Sequence, residues 1–313
     1  MSNKLPRHLL IAAVVGTVSL ALTGCGSNGE ATSVAGDKSP ATQLAPGTDP
    51  AIRDLLPKAI LDSGTLRVGA TTTNPPFSLK QDQELVGLIP ELAGELEGLT
   101  GVNVKFVETA FPGLVPALQA DRIDAIWTLL TDTAEREETL NIVSYMRISS
   151  SLLVQKDNPK NLQTLDDLCG ANVANLRGAI HIGYLEEQSQ KCIGEGKPGV
   201  QVSLYDDSGQ AQTQLRAGKV DAYFGFRAPL QYVAAKVDDG NAFTVLDGKY
   251  KGGYLGLAVP KDQGELAEAL RAALTATVES GAYLDILKRH NIDDEALSAD
   301  EVAINGITSG VLK

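Results

Sequence analysis

The feature that most constrains this chain is a repeated alternation of strand-period and helix-period segments. Leu66, Val68 and Ala70 alternate with Arg67 and Gly69, which reads as a strand. Asn74-Pro75-Pro76-Phe77 breaks it, and Leu88, Leu92, Leu96 and Leu99 then recur at helical spacing. Val102–Phe106 reads as a strand, Leu114 and Leu118 mark a short helix, and Asp124–Leu130 is a third strand. A second series follows Ser150. Strands are expected at Ala171–Leu176, Val200–Tyr205 and Ala222–Phe226. Helices are expected after Gly178 (holding Ile182 and Leu185), at Gln210–Ala217 and at Pro229–Lys236. Gly253–Val259 reads as a last strand, and Leu266, Leu270, Leu274 and Val278 share one helix face. Such alternation is the mark of an α/β sheet layer, here two similar units in series.

The N-terminus bounds where the protein works. Lys4 and Arg7 precede an uncharged apolar run, Leu9–Leu22, too short for a comfortable membrane span and suited to a secretory signal. It ends in Leu22-Thr23-Gly24-Cys25, which resembles the bacterial lipobox, and this implies that segment 1–25 is a lipoprotein signal, cleaved so that Cys25 is lipidated and becomes the first mature residue. Residues 26–53, poor in large apolar side chains, read as a flexible tether. Cleavage at Cys25 removes two cations and no acid, so the formal charge of −12 becomes −14. Nucleic acid is an unsuitable partner for so acidic a chain. The two cysteines left in an oxidising compartment, Cys169 and Cys192, are expected to form a disulfide. His181 and His290 have no zinc-like spacing, so no metal and no cofactor are expected.

Several segments, in order, carry a resemblance to the amino-acid-type family of extracellular solute-binding proteins of ABC importers. They are Gly69–Phe77, Gly87-Leu88-Ile89-Pro90-Glu91-Leu92 and Phe111-Pro112-Gly113-Leu114-Val115-Pro116-Ala117-Leu118. Thr131-Asp132-Thr133-Ala134-Glu135-Arg136 with Val143-Ser144-Tyr145 follows, then Leu168-Cys169-Gly170 with Cys192, and Ala217-Gly218-Lys219-Val220-Asp221-Ala222. The resemblance covers roughly residues 60–295. It implies a two-lobed type II periplasmic-binding-protein-like α/β fold with two crossover hinge segments, near Ser149–Val154 and Lys249–Leu255. Lobe 1 would comprise 54–150 and 254–313, and lobe 2 would comprise 151–253. It further implies a monomer held at the cell membrane by its lipid, which delivers a carboxylate-bearing solute to an ABC permease.

The resemblance places the ligand in the interlobe cleft and assigns it residues. Arg136 would hold the ligand carboxylate, because a guanidinium offers a planar fork of donors. Thr131 would add a hydroxyl or backbone contact, Thr128 lies one strand step earlier, and Phe111 would pack an aromatic face. Trp127 reads more readily as core. Asn74 stands where relatives often carry an aromatic, and Ala179 and Ile180 stand where they carry two threonines at a helix start, leaving backbone contacts at Ala179. Phe226 stands where many amino-acid binders place the aspartate that pairs with the α-ammonium. Arg177 and Arg227 could serve a second acidic group, and a quaternary ammonium over the Phe226 ring is physically allowed. Two other functions share the fold: an exported dehydratase with Glu108 as its acid, and a sensory module that presents its ligand to a membrane receptor.

Overall fold

Period-two burial builds the central sheet. In β6 (Ala125–Thr131, after the strands named below), Trp127 and Leu129 enter one apolar cluster while Ile126 and Leu130 enter another, so both faces are covered. The same parity governs Leu152 and Val154 against Leu153, and Ala222 and Phe224 against Tyr223. The computed structural model describes residues 46–248 and 250–312, with Lys251 described by its backbone alone.

The strands before β6 are β1 (Thr65–Ala70), β2 (Thr73–Asn74), β3 (Ser78–Gln81), β4 (Glu84–Val86) and β5 (Asn103–Glu108). Those after it are β7 (Leu140–Gln155), β8 (Asn172–Leu176), β9 (Gln201–Tyr205), β10 (Ala222–Phe226), β11 (Phe243–Val245) and β12 (Tyr250–Pro260). Nine form one sheet, ordered β5-β1-β6-β12-β7-β10-β8-β9, with β11 paired to β7. β2, β3 and β4 form a small antiparallel sheet of their own. β5, β1 and β6 run parallel on one side, and β10, β8 and β9 run parallel on the other. The long strands β7 and β12 are antiparallel to each other and join the two halves. β7 pairs with β12 from Leu140 to Ser150 and with β10 and β11 from Ser150 to Gln155.

The helix Leu88–Thr100 buries Leu88, Leu92 and Leu96 at helical spacing and stops at Gly101, whose φ of 64° closes the helix. Leu266, Leu270 and Leu274 of the helix Gly264–Glu279 enter the same core. The segment after Asp293 straps over β7. Ile304 bridges Val143, Asn305 Oδ1 accepts the Ile142 N–H (2.9 Å), and Ser149 Oγ donates to Glu295 (3.0 Å).

Cys25 and the whole of segment 1–25 lie outside the described residues. Within the expected tether of residues 26–53, the last residues are helical. Asp49 accepts the Ala51 N–H (2.8 Å) and caps the helix Pro50–Arg53, whose Ile52 is buried in the core. Cys169 and Cys192 are disulfide-bonded across a separation of 23 residues. Closing a loop of that length stabilises the fold by about 3 kcal/mol through the unfolded chain's entropy.

Candidate functional site

In open α/β sheets ligands gather beyond the carboxyl ends of the strands. Here those ends converge from both halves on one small cavity. Asn74 follows β1, Phe111 follows β5 and Thr131 ends β6. From the other half, Leu176 ends β8 and Ala179, Ile180 and His181 follow it, Ser208 and Gln212 follow β9, and Phe226 ends β10. The cavity volume is about 40 Å³.

Among the described residues, Arg136 is the one cationic side chain in the wall at neutral pH. It sits on the short helix Ala134–Glu137, capped by Thr133. Its Nη1 donates to Thr131 O (2.7 Å) and its Nη2 to Gly178 O (2.9 Å) in the other half. Gly178 presents that carbonyl from a φ of 80°, a backbone region that side chains disfavour. Burial pulls the Arg136 pKa below its ordinary value, while Glu135 and Asp132 act against that shift. Both identified partners are neutral carbonyls, so the guanidinium stays cationic and keeps donors for an anion.

A second contact joins the halves at Ser208. Its Oγ lies 2.6 Å from Thr73 O and 2.9 Å from Asn74 Oδ1, and Asn74 Nδ2 donates to Thr71 Oγ1 (2.7 Å). His181 is buried, with Nε2 3.0 Å from Ser150 Oγ and its ring edge-on to Phe224 and Phe226. Burial, helped by Arg136, pushes its pKa down to about 3, so it is neutral at pH 7.

Of the residues expected from sequence, Arg136, Thr131, Phe111, Asn74, Ala179 and Phe226 come together in this wall. Thr128 does not. It lies on the opposite parity of β6 from Leu129 and Thr131, fully buried, its hydroxyl 2.6 Å from that of Thr71. Thr128 therefore supports Asn74 from behind. Ala179 lines the cavity, but its N–H already bonds Leu176 O (3.0 Å), so the amide expected to meet the ligand is occupied. Trp127 is core. Arg177 pairs with Asp206 (3.2 Å), Arg227 donates to Leu246 O (3.1 Å), and Glu108 pairs with Lys80 (2.6 Å), and none of the three is in the cavity wall. Sequence reasoning missed His181, Ser208 and Gln212. The first follows the helix start at Gly178-Ala179-Ile180, and Ser208 follows the capping Asp207, so both positions carried a signal. Among the described residues no cluster of three metal-ligating side chains occurs, and no helix is long and apolar enough to cross a membrane.

Behind Arg136 lies a carboxyl pair. Burial first, then the neighbouring Glu137, pushes Asp132 up to about 8. Burial opposes ionisation of Glu137 too, but hydrogen bonds from Thr308, Asp132 and the backbone N–H groups of Thr308 and Ile307 outweigh it and hold its pKa below the usual range. Asp132 is thus protonated at pH 7 and Glu137 is ionised. Unfolded aspartate loses its proton near pH 4, so up to about pH 8 the folded state holds a proton that the unfolded state has lost. Rising pH then destabilises the fold. Neutral His181 acts oppositely, but only below about pH 6.5, where the unfolded side chain charges. Between pH 6.5 and 8 stability is therefore expected to fall by about 2 kcal/mol. Urea titrations of wild type and Asp132→Asn across that range check this, since the variant should show a flat profile. An equal slope in both would exclude Asp132 as the cause.

Residues 66–292 match the family model described as bacterial extracellular solute-binding proteins, family 3. The chain belongs to this family. Among its relatives, the arginine-binding protein ArgT of Corynebacterium glutamicum is 28% identical over 306 residues, covering 96% of this chain and 97% of that one. The L-arginine-binding protein of Pseudomonas aeruginosa is 30% identical over 231 residues, covering 72% and 87%. A solved ancestral arginine-binding protein bound to arginine is 30% identical with a TM-score of 0.66, covering 72% of this chain and 97% of that one. The family 3 fold is accordingly that of the type II periplasmic-binding proteins, a mixed α/β architecture with a large sheet. These family 3 relatives are named as binding proteins rather than enzymes.

Proposed function

We propose that this chain is the lipid-anchored substrate-binding component of an ABC importer, tethered through Cys25, which captures a small carboxylate-bearing solute between two lobes that close on it. The observation that carries this reading is Arg136, a half-buried guanidinium in the wall of an interlobe cavity whose identified partners are two neutral carbonyls. The names of the relatives add amino acids as the general class of solute. Closure is supported by the contacts across the cleft, Arg136 to Gly178 and Ser208 to Thr73 and Asn74. Each is worth about 0.5–1.5 kcal/mol net, so open and closed forms lie within reach of ligand binding energy. A thermal-shift screen across amino acids, organic amines, dipeptides and dicarboxylates tests the reading. A true ligand at a hundredfold excess over its Kd stabilises by about 2.7 kcal/mol. The ligand should also be recovered unchanged after incubation. Recovery of a dehydrated product would overturn the transport reading in favour of an enzyme.

A further inference from the structure

Among the described residues, the wall of the cavity contains a cation and no acid. Arg136 contributes a positive charge, and the remaining lining residues are neutral polar or apolar at pH 7. The carboxyls nearby stay off the wall, and Glu135 and Asp132 act on the Arg136 charge from outside the lining. Asp207 accepts the Gln210 N–H (2.9 Å) and side chain (2.6 Å), Asp206 pairs with Arg177, and Asp132 lies behind Arg136 and off the wall. Leu129, Ile180, Phe226, Pro229 and Leu230 supply an apolar lining. An ammonium or guanidinium drawn into this space would lose its water beside a fixed guanidinium, with no carboxylate in the wall to offset the loss. A ligand carboxylate meets the opposite situation, because it neutralises the site.

We infer that the site selects small carboxylates that carry no positive charge, held at Arg136 with an uncharged and mainly apolar body against Ile180 and Phe226, and that it discriminates against zwitterionic and cationic amino acids. The inference rests on the reading of this cavity as the solute site and of Arg136 as its carboxylate anchor. It departs from the arginine bound by the ancestral structure, so relatives and this chain would share an anchor and differ in cargo.

Calorimetry at pH 7 with matched pairs tests it: alanine and propanoate, leucine and 4-methylpentanoate, phenylalanine and 3-phenylpropanoate, with arginine as the cationic arm. The expected result is that the tightest ligand is an amine-free acid, at least tenfold tighter than its amino-acid twin, and that arginine gives no saturable heat. Phe226→Asp should move preference towards the amino acid of the pair by restoring an anion at that position. The wild-type comparison decides the matter even if that variant fails to fold. Tighter binding of any amino acid than of its amine-free twin, dependent on Arg136, overturns the inference and leaves the solute site standing. Binding unaffected by Arg136→Ala, or no binding by any acid in either this set or the wider screen, overturns the solute-site reading and the inference with it.

Discussion

Arg136→Ala is expected to weaken carboxylate binding by about 30-fold to several thousandfold, corresponding to roughly 2–5 kcal/mol. The loss is large because a bound carboxylate would remain desolvated between the two halves with its charge unpaired. The empty protein should tolerate the change. Arg136 carries a desolvation cost that Glu135, Asp132 and its two carbonyl partners only partly offset, and truncation removes that cost together with the link to Gly178. Arg136→Lys should fall between wild type and alanine, since an ammonium lacks the planar fork that serves Thr131, Gly178 and a ligand together. Isothermal titration of the three proteins against one carboxylate ligand is the check. A binding constant in Arg136→Ala within threefold of wild type would remove Arg136 from the site.

Trp127→Ala is expected to cost about 3–5 kcal/mol of folding stability. Trp127 is fully buried on β6 with its ring edge-on to Tyr145 at 6.1 Å, and alanine there leaves a large void in the main core. Trp127→Phe should be much milder. The indole Nε1–H is buried without a hydrogen-bond partner among the described residues, a penalty that phenylalanine relieves while keeping most of the packing. Urea midpoints measure both. If Trp127→Phe costs as much as Trp127→Ala, the indole N–H has a role in the fold that its surroundings do not reveal.

Most helices and strands were readable because the faces they bury are fixed by local period. Leu88, Leu92 and Leu96 bury one helix face, and Ala222–Phe226 is a strand with the expected bounds. The long strand β7 was not readable as one element. Its sequence passes from Tyr145 and Met146 through Arg147 and three serines to Leu152 and Leu153. Its neighbours change along its length, from β12 alone to β10 and β11, so no single alternation of polar and apolar residues marks it. In the site, parity separates Thr131 from Thr128, a distinction present in the sequence once β6 is placed. The meeting of Ser208 with Asn74, 134 residues away, had no local signal. Nor did Asp132, because an aspartate in a charged run is ordinarily exposed and here is 3% exposed.

The place of β12 in the sheet bears on how the protein acquires its structure during synthesis. β5, β1 and β6 are made early, yet the neighbour that β6 needs on its other side, β12, begins at Tyr250, and the strap over β7 comes later still. The β8–β9–β10 half is contiguous in the chain and can assemble as it emerges. The other half must wait with one sheet edge open until β12, ending at Pro260, is available. Pairings of this sequence separation are slow to form, and an uncovered edge invites wrong partners. Damage to β12 should therefore be felt first as misassembly of the half built from the N-terminal strands.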